Sequence, residues 1–234
     1  MVILIVCIVG FLGFLGWATL SYNAPVFGRM PWRVQTNQKL IALTFDDGPN
    51  QPFTGQIADI IESHGGKATF FIVGKNSERF PGTVHEMAQR GHQIGAHSYR
   101  HAFHRYIVDP LYKEEISRTK AVLKKEGVTT DSYRFPWLFR TPWLIASVKK
   151  AGYRMPISGQ FSHAFEPFQI NASKIIAHTL KIARPGAIII FHDGYNAQAA
   201  DRTQTVEAVR QVTKQLARQG YQFVTVNELL AHKD

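Results

Sequence analysis

The sequence predicts an α/β fold: a distorted (β/α) barrel of about seven parallel strands, preceded by one apolar helix that crosses a membrane. Two observations lead to this fold class. Short apolar runs alternate with amphipathic stretches about six or seven times, as in parallel strands joined by right-handed crossover helices. Polar residues capable of catalysis follow several of these runs. We therefore expect one domain with its site at the carboxyl ends of the strands.

The apolar run from Met1 to Leu20 contains no charged side chain. As a helix it would span about 30 Å, the thickness of a bilayer's hydrocarbon core, and Trp17 and Tyr22 near its end suit the membrane interface. A cleaved signal peptide is the alternative, but the run lacks a basic segment before it and a small-residue cleavage site before Pro25. The chain is therefore expected to have three parts: an anchor over 1–22, a linker over 23–38 and a folded domain over 39–234.

The chain is strongly basic, with a net charge of +10 and a pI near 9.8. Arg29, Arg33 and Lys39 follow the apolar run and no basic residue precedes it, which taken alone would leave the domain in the cytoplasm. The charge favours an anionic neighbour. Because no nucleic-acid motif is present, we exclude nucleic acid and favour anionic lipid or a cell-wall polymer. A solvated basic surface without a specific partner is the alternative.

Apolar periodicity and glycine positions delimit the elements of the domain. Ile57, Ile60 and Ile61 have helical spacing before Gly65, whereas the run at 187–191 is the most apolar of the domain, as a buried parallel strand should be. Strands are predicted at 39–45, 68–73, 93–96, 133–135, 187–191 and 221–226. Helices are predicted at 53–64, 83–90, 112–126, 142–151, 171–184 and 203–218. The only cysteine, Cys7, lies in the apolar run, so disulfides and thiolate metal ligands are excluded from the domain.

Two motifs suggest a metal site. Asp46 and Asp47 follow the first strand in the sequence Thr-Phe-Asp-Asp-Gly-Pro, and adjacent carboxylates repel each other unless a cation or a base separates their roles. His97 and His101 are spaced i, i+4 and could share a cation. For the two aspartates the alternative is an Asx-type turn, and for the two histidines it is a pair of surface or core residues. His104 lies close to them in the sequence, but we assign it no role of its own.

Two further motifs follow later strands. His192 emerges from the buried run at 187–191, and Arg134 precedes Phe135, Pro136 and Trp137, which form a rigid aromatic platform. Taken singly, His192 could be a core histidine whose ring nitrogens are hydrogen-bonded, and Arg134 could form an ion pair where the chain turns and packs.

In this order, the four motifs resemble those of the carbohydrate esterase family 4 deacetylases, which contain the NodB homology domain. The resemblance covers residues 39–230, and the segments 67–74 and 91–95 also match that family. It implies a NodB-like barrel and metal-dependent hydrolysis of the N-acetyl group of an N-acetylhexosamine-containing glycan. Suitable substrates would be peptidoglycan, an exported polysaccharide or a lipid-linked sugar, with the domain on the exported side of the membrane. The motifs themselves do not determine on which side of the membrane the domain lies.

The resemblance also implies roles for individual residues. The catalytic residues would be Asp46 as general base, His192 as general acid and Arg134 beside the base, with Lys67 as a second candidate for that cation. The metal ligands would be Asp47, His97 and His101, and the substrate-binding residues would be Pro136, Trp137 and Phe191. One divalent ion is expected; zinc is preferred, and cobalt, nickel or manganese also suit nitrogen and oxygen ligands. The expected partners are the N-acetylated glycan and the membrane, and no protein partner can be inferred.

The sequence departs from that family at one motif. The family's segment ending in Asp-Trp supplies a carboxylate for the catalytic histidine, whereas residues 157–167 contain no Asp and no Trp. Glu166, His163 or Gln160 could replace it, and spacing does not choose among them. Trp137, Phe139 and Trp143 could stack on a sugar ring or pack in the core. An amidohydrolase acting on a small non-sugar amide and a non-catalytic glycan-binding module are therefore the alternative functions.

Overall fold

The computed structural model describes residues 1–108 and 111–232. The helices are α1 (Val2–Leu20), α2 (Phe53–Glu62), α3 (Gly74–Arg79), α4 (Thr83–Gln89), α5 (His104–Ile107), α6 (Leu111–Lys125), α7 (Pro142–Lys150), α8 (Ala172–Ile182), α9 (Thr203–Arg218) and α10 (Val226–Ala231). The strands are β1 (Leu40–Asp46), β2 (Thr69–Ile72), β3 (Gln93–Ala96), β4 (Ser132–Tyr133), β5 (Met155–Pro156), β6 (Gln160–Phe161), β7 (Ile188–His192) and β8 (Gln222–Phe223).

All strand pairings are parallel, and seven strands lie in the order β5-β4-β3-β2-β1-β7-β6, while β8 pairs with the start of β1. Within the described residues β5 and β6, the two ends of this order, are not paired with each other. The sheet is therefore a half-barrel of parallel strands, which confirms the predicted fold class.

The centre of the sheet is buried on both faces. Every residue of β1 and β7 is buried, which agrees with their nearly continuous apolar sequences. Phe45 stacks between Phe70 and Phe191, with ring centroids 5.3 and 5.6 Å apart. These rings belong to the main core beneath α2, α8 and α9. They hold the ends of β1 and β7 rigidly side by side.

The predicted linker is packed against the barrel. Ala24, Met30 and Val34 are buried, and the Val34 N–H donates to the Gly186 carbonyl at 2.8 Å. The segment between α1 and β1 is therefore packed in part, although its sequence lacks the periodicity that predicts an element. The predicted end of the domain, at residue 234, lies outside the described residues.

The remaining differences from prediction concern short elements. β5 and β6 have two residues each, too few to show an apolar run, and were not predicted. The predicted strand at 221–226 ends early because Thr225 and Glu228 form a capping box that begins α10. The other predicted strands and helices match observed ones, with some ends shifted by a few residues.

Candidate active site

The candidate catalytic side chains meet at the carboxyl edge of the sheet. Asp46 is the last residue of β1, and it pairs in register with His192, the last residue of β7. Asp47 follows β1 directly and His97 follows β3. The strand order thus brings together residues that are up to 146 positions apart in the sequence, since residue 192 faces residue 46.

Several residues at this edge have an unusual backbone conformation. Asp47, His101 and Trp137 have φ values of 73°, 51° and 54°, in the left-handed region that non-glycine residues rarely adopt. Gly194 allows this arrangement, because a Cβ at that position would lie 2.2 Å from the Asp47 carbonyl oxygen. Such strain persists only where the surroundings fix it, and it is concentrated at functional sites.

Asp47, His97 and His101 form a buried group that could hold a metal ion. The Asp47 Oδ1 atom lies 3.6 Å from His97 Nε2 and 3.3 Å from His101 Nε2, and it accepts no hydrogen bond. Burial and the neighbouring His101 lower the pKa of His97 to about 3, so its imidazole is neutral. Its Nδ1 lies 2.8 Å from the Arg134 carbonyl, an acceptor that leaves Nε2 as the free lone pair. The donors fit a tetrahedral cation with one open position.

Asp46 is held by Arg134, which is fully buried. Arg134 Nη1 donates to Asp46 Oδ1 and to Thr44 Oγ1 at 2.7 Å each, and Nη2 donates to the Ser158 carbonyl at 3.1 Å. The guanidinium also lies over the Phe71 ring, 4.0 Å from its centroid. Arg134 therefore fixes one oxygen of Asp46. Lys67, the second candidate for this cation, pairs instead with Glu62 at 2.9 Å, so that alternative is wrong.

His192 is held by Glu166, one of the three replacements considered for the missing aspartate. Glu166 is fully buried, and its Oε2 lies 2.6 Å from His192 Nδ1, while its Oε1 accepts from Thr205. Burial lowers the pKa of His192, but the charge and hydrogen bond of Glu166 raise it more, to about 8. The imidazole is therefore charged near neutral pH and points Nε2 away from Glu166.

The other two replacement candidates have different partners. His163 Nδ1 accepts from the Phe165 N–H at 3.1 Å, and Gln160 Oε1 accepts from Arg184 at 3.1 Å. One sequence signal favoured Glu166, because it is the only acidic residue between Asp131 and Asp193.

A groove of about 280 Å³ opens above these residues. Trp137 lines it and contacts His101 at a centroid distance of 4.3 Å. The other two predicted substrate-binding residues do not line it: Phe191 is buried in the aromatic core stack, and Pro136 is buried. Phe139 packs on the core, and Trp143 is exposed outside the groove. Lining residues that the sequence did not identify include Phe161, Phe168, Tyr195 and Asn196.

Asn196 also acts on the metal group. Its backbone N–H donates to Asp47 Oδ2 at 2.8 Å, which turns Oδ1 toward the two histidines. The Asn76 side chain donates to the carbonyls of Asp47 and Asn196, at 2.7 and 2.8 Å, and so ties the two loops together. No sequence pattern marks these contacts, since Asn196 acts through its backbone in a loop and Asn76 reaches both loops from α3.

Comparison with known proteins identifies the family. A family model described as polysaccharide deacetylase matches residues 33–156, which is more than half of the chain. The chain belongs to the polysaccharide deacetylase family. This confirms the resemblance found in the sequence, and it makes the protein a carbohydrate esterase family 4 hydrolase by descent.

Relatives of this polysaccharide deacetylase act on different named substrates. A peptidoglycan-N-acetylglucosamine deacetylase of Bacillus cereus is 34% identical over 206 residues, 88% of this chain and 95% of the relative. The peptidoglycan-N-acetylmuramic acid deacetylase PdaC of Bacillus subtilis is 32% identical over 84% of this chain, but the match spans only 40% of PdaC. A family 4 acetyl xylan esterase from Clostridium thermocellum, solved with a cobalt ion, is 30% identical, with a TM-score of 0.71 over 82% of this chain and 90% of the esterase.

The fold agrees equally well with a solved deacetylase. The Bc1960 peptidoglycan N-acetylglucosamine deacetylase superposes with a TM-score of 0.75 at 28% identity, over 87% of this chain and 94% of the other. These likenesses establish the half-barrel and support glycan deacetylation as the activity of the family.

Proposed function

We propose that this polysaccharide deacetylase removes the N-acetyl group of an N-acetylhexosamine-containing glycan and releases acetate, with the help of one divalent metal ion. The observation that carries the proposal is the arrangement of five side chains around one groove. A three-ligand group lines the groove together with a carboxylate fixed by arginine and a histidine charged by a glutamate. This arrangement supplies what amide hydrolysis requires: a place for a Lewis acid, a base and an acid.

Asp47, His97 and His101 would hold the ion. When bound, the metal supplies Lewis acidity, which lowers the pKa of a water molecule and polarises a carbonyl oxygen. Zinc is preferred because two imidazoles and one carboxylate are usual for catalytic zinc, and cobalt, nickel and manganese accept the same donors. The hydrogen bonds from Asn196 to Asp47 and between His97 and the Arg134 carbonyl keep the three donors directed at one point.

Asp46 and His192 would move the protons. Asp46, with one oxygen fixed by Arg134, takes a proton from the attacking water through its free oxygen as the new C–O bond forms at the acetyl carbon. His192 then gives its proton to the sugar nitrogen as the C–N bond breaks, so that the products are acetate and an amino sugar. The Glu166 carboxylate stabilises the charged imidazole that this step needs.

The groove favours a sugar over a small amide. Trp137 is partly exposed, at 39%, and stands at the metal group together with Phe168 and Tyr195, so flat faces are available to stack on a pyranose ring. A small non-sugar amide would need no such wall. A non-catalytic glycan-binding module, the other alternative, gives no reason to keep all five catalytic side chains assembled.

We further propose that α1 anchors the protein in a membrane, with the domain on the exported side. The helix has 19 residues and a mean hydropathy of 2.5, enough to cross a membrane by length and composition, although a signal sequence has the same properties. The cell-wall substrates in the names of the relatives support the exported side.

The proposed activity is tested by acetate release from the full chain with zinc restored. The substrates are N-acetylated chitooligosaccharides, peptidoglycan and a lipid-linked N-acetyl sugar. Asp46→Asn removes the base, and Asp131→Asn, the same chemical change at the protein surface, is the control. Release that disappears in Asp46→Asn and persists in Asp131→Asn is the expected result. Absence of release from every substrate by the metal-loaded protein would overturn the proposal.

A further inference from the structure

The apolar helix α1 ends against the wall of the catalytic groove. The Arg140 backbone N–H donates to the Thr19 carbonyl at 3.0 Å, in the last turn of α1. The Arg140 guanidinium is fully buried and donates to the carbonyls of Ser21, Ala24 and Leu138. A cation at the carboxyl end of a helix stabilises that end. Leu138 lines the groove, so one arginine joins the end of the helix to the site.

A second connection runs from the end of α1 to the proposed base. The Ser158 hydroxyl donates to the Tyr22 carbonyl at 2.7 Å, and the Ser158 carbonyl accepts from Arg134, the partner of Asp46. Ser158 lies between β5 and β6, at the open side of the half-barrel. The helix is therefore attached at the catalytic edge without a flexible linker.

The exposed apolar side chains of the domain are concentrated at the same edge. Outside α1, eight large apolar side chains of the described residues are exposed, and seven of them lie in segments that follow β3, β4 or β6. Five are aromatic and form what we call the aromatic rim: Phe103, Trp137, Trp143, Phe165 and Phe168. Val26 is the exception. Single exposed apolar residues are ordinary, but such a concentration on one face indicates a binding surface.

Three properties of this rim fit a lipid bilayer as its partner. It adjoins the end of a helix that is itself apolar enough to cross a membrane. Tryptophan and phenylalanine, which make up the rim, are the side chains that interfacial membrane-binding surfaces favour. The chain has a net charge of +10, which attracts it to anionic headgroups.

We propose that the aromatic rim seats the groove on the surface of the membrane that holds α1, and that the substrate is an N-acetyl amino sugar carried on a membrane lipid. This inference rests on the proposed deacetylase function and narrows its substrate class. A groove that opens at headgroup height meets sugars attached to lipid, whereas wall glycan lies farther out. Confinement to the same surface raises the effective concentration of such a substrate.

The test compares two substrates with the full chain reconstituted in vesicles of phosphatidylcholine and phosphatidylglycerol. One is N-acetylglucosamine linked through diphosphate to a polyprenol in the vesicles, and the other is a soluble N-acetylated chitooligosaccharide. We expect kcat/KM to be at least about tenfold higher for the lipid-linked sugar. The double variant Trp143→Ser/Phe165→Ser should lose this preference and keep its rate on the soluble sugar, because neither residue lines the groove.

Val26→Ser is the matched control, since it removes an exposed apolar side chain that is not part of the rim and should keep the preference. Equal kcat/KM for the two substrates, or a preference unchanged in the rim variant, would overturn the inference and leave the deacetylase function standing. Absence of acetate from both substrates would overturn the proposed function, and the substrate class with it.

A second measurement tests the seating itself without catalysis. The chain has four tryptophans, and phosphatidylcholine brominated near its headgroup quenches those that lie at the interface. Trp143→Phe should lower the fraction of fluorescence that is quenched, because it removes an interfacial tryptophan. A rise in the quenched fraction, or no change in it, in Trp143→Phe would overturn the seating of the rim on the membrane.

Discussion

The proposed base and the proposed acid are held in different ways. Asp46, at the end of β1, is fixed by Arg134, which directly follows β4. His192, at the end of β7, is fixed by Glu166, which comes from the segment after β6. The strand ends keep the sequence pattern of the family, whereas the loop departs from it. In this chain a glutamate stands where the family resemblance implied an aspartate, and its carboxylate contacts His192 Nδ1.

The largest effect on activity is expected at the metal group, on which the proposed base and the proposed acid both depend. Asp47→Ala removes the oxygen that faces both histidines, so we expect loss of bound metal and a fall in kcat/KM of at least about 10³-fold. Metal content by mass spectrometry and acetate release measure the two effects. Retention of stoichiometric metal with normal activity would show that Asp47 is not a ligand.

Removing the ion pair between Arg134 and Asp46 should lower the folding stability. Arg134→Met leaves Asp46 buried without its partner, and we expect the free energy of unfolding of the metal-free protein to fall by about 3–5 kcal/mol. Arg90→Met is the control, because Arg90 pairs with Asp59 and Glu62 nearer the surface and such pairs contribute about 1 kcal/mol or less. Urea unfolding in detergent measures both. Equal losses would mean that the Asp46–Arg134 pair is no more important than a surface pair.

Removing the contact between Glu166 and His192 should change the rate and its pH dependence. Glu166→Gln removes the charge beside His192, and we expect kcat/KM to fall about 10- to 100-fold. Since the protonated imidazole is the active form and its pKa is about 8, activity should decline above that pH. Loss of Glu166 lowers this pKa, so the decline should begin at lower pH. An alkaline limb unchanged in Glu166→Gln, relative to Glu207→Gln on the exposed face of α9, would contradict the role of Glu166.

The smallest effect is expected at Thr205, which contacts Glu166 and not His192 itself. Thr205→Val removes the hydroxyl that donates to Glu166 and keeps the side-chain shape, so a change of about 1 kcal/mol, roughly fivefold in rate, is expected. The alkaline limb should move in the direction opposite to that in Glu166→Gln, because a less stabilised carboxylate attracts the imidazolium proton more strongly. Pre-steady-state acetate release against pH detects this. No shift, or a shift to lower pH, would mean that Thr205 only packs.

The fold could be predicted from the sequence because long apolar runs and glycines mark β1, β7 and the helices. The metal group could be proposed because Asp47, His97 and His101 lie in two short, contiguous motifs. The features that could not be predicted depend on which residues come together when the chain folds. Glu166 was one of three candidates because loop length does not fix which side chain reaches His192, and the segment before β1 carries no periodic pattern although its residues are buried.

The predictions for Phe191 and Lys67 failed for two reasons that both come from strand geometry. Phe191 precedes the catalytic histidine in a strand, and successive strand residues point to opposite faces, so Phe191 enters the core while His192 enters the groove. Lys67 precedes β2 and is therefore at the amino end of the sheet, away from Asp46, where it pairs with Glu62. Strand alternation and direction, applied to each residue, would have excluded both.

We propose above all that a metal ion at Asp47, His97 and His101 serves a base, Asp46, and an acid, His192, in one groove. The most direct measurement follows acetate release from a soluble N-acetylated chitooligosaccharide before chelation, after chelation and after zinc is returned. We expect release to stop on chelation and to recover with one equivalent of zinc in the wild type, and we expect Asp46→Asn to bind zinc without recovering activity. Release that continues in the fully metal-free protein would contradict the proposal.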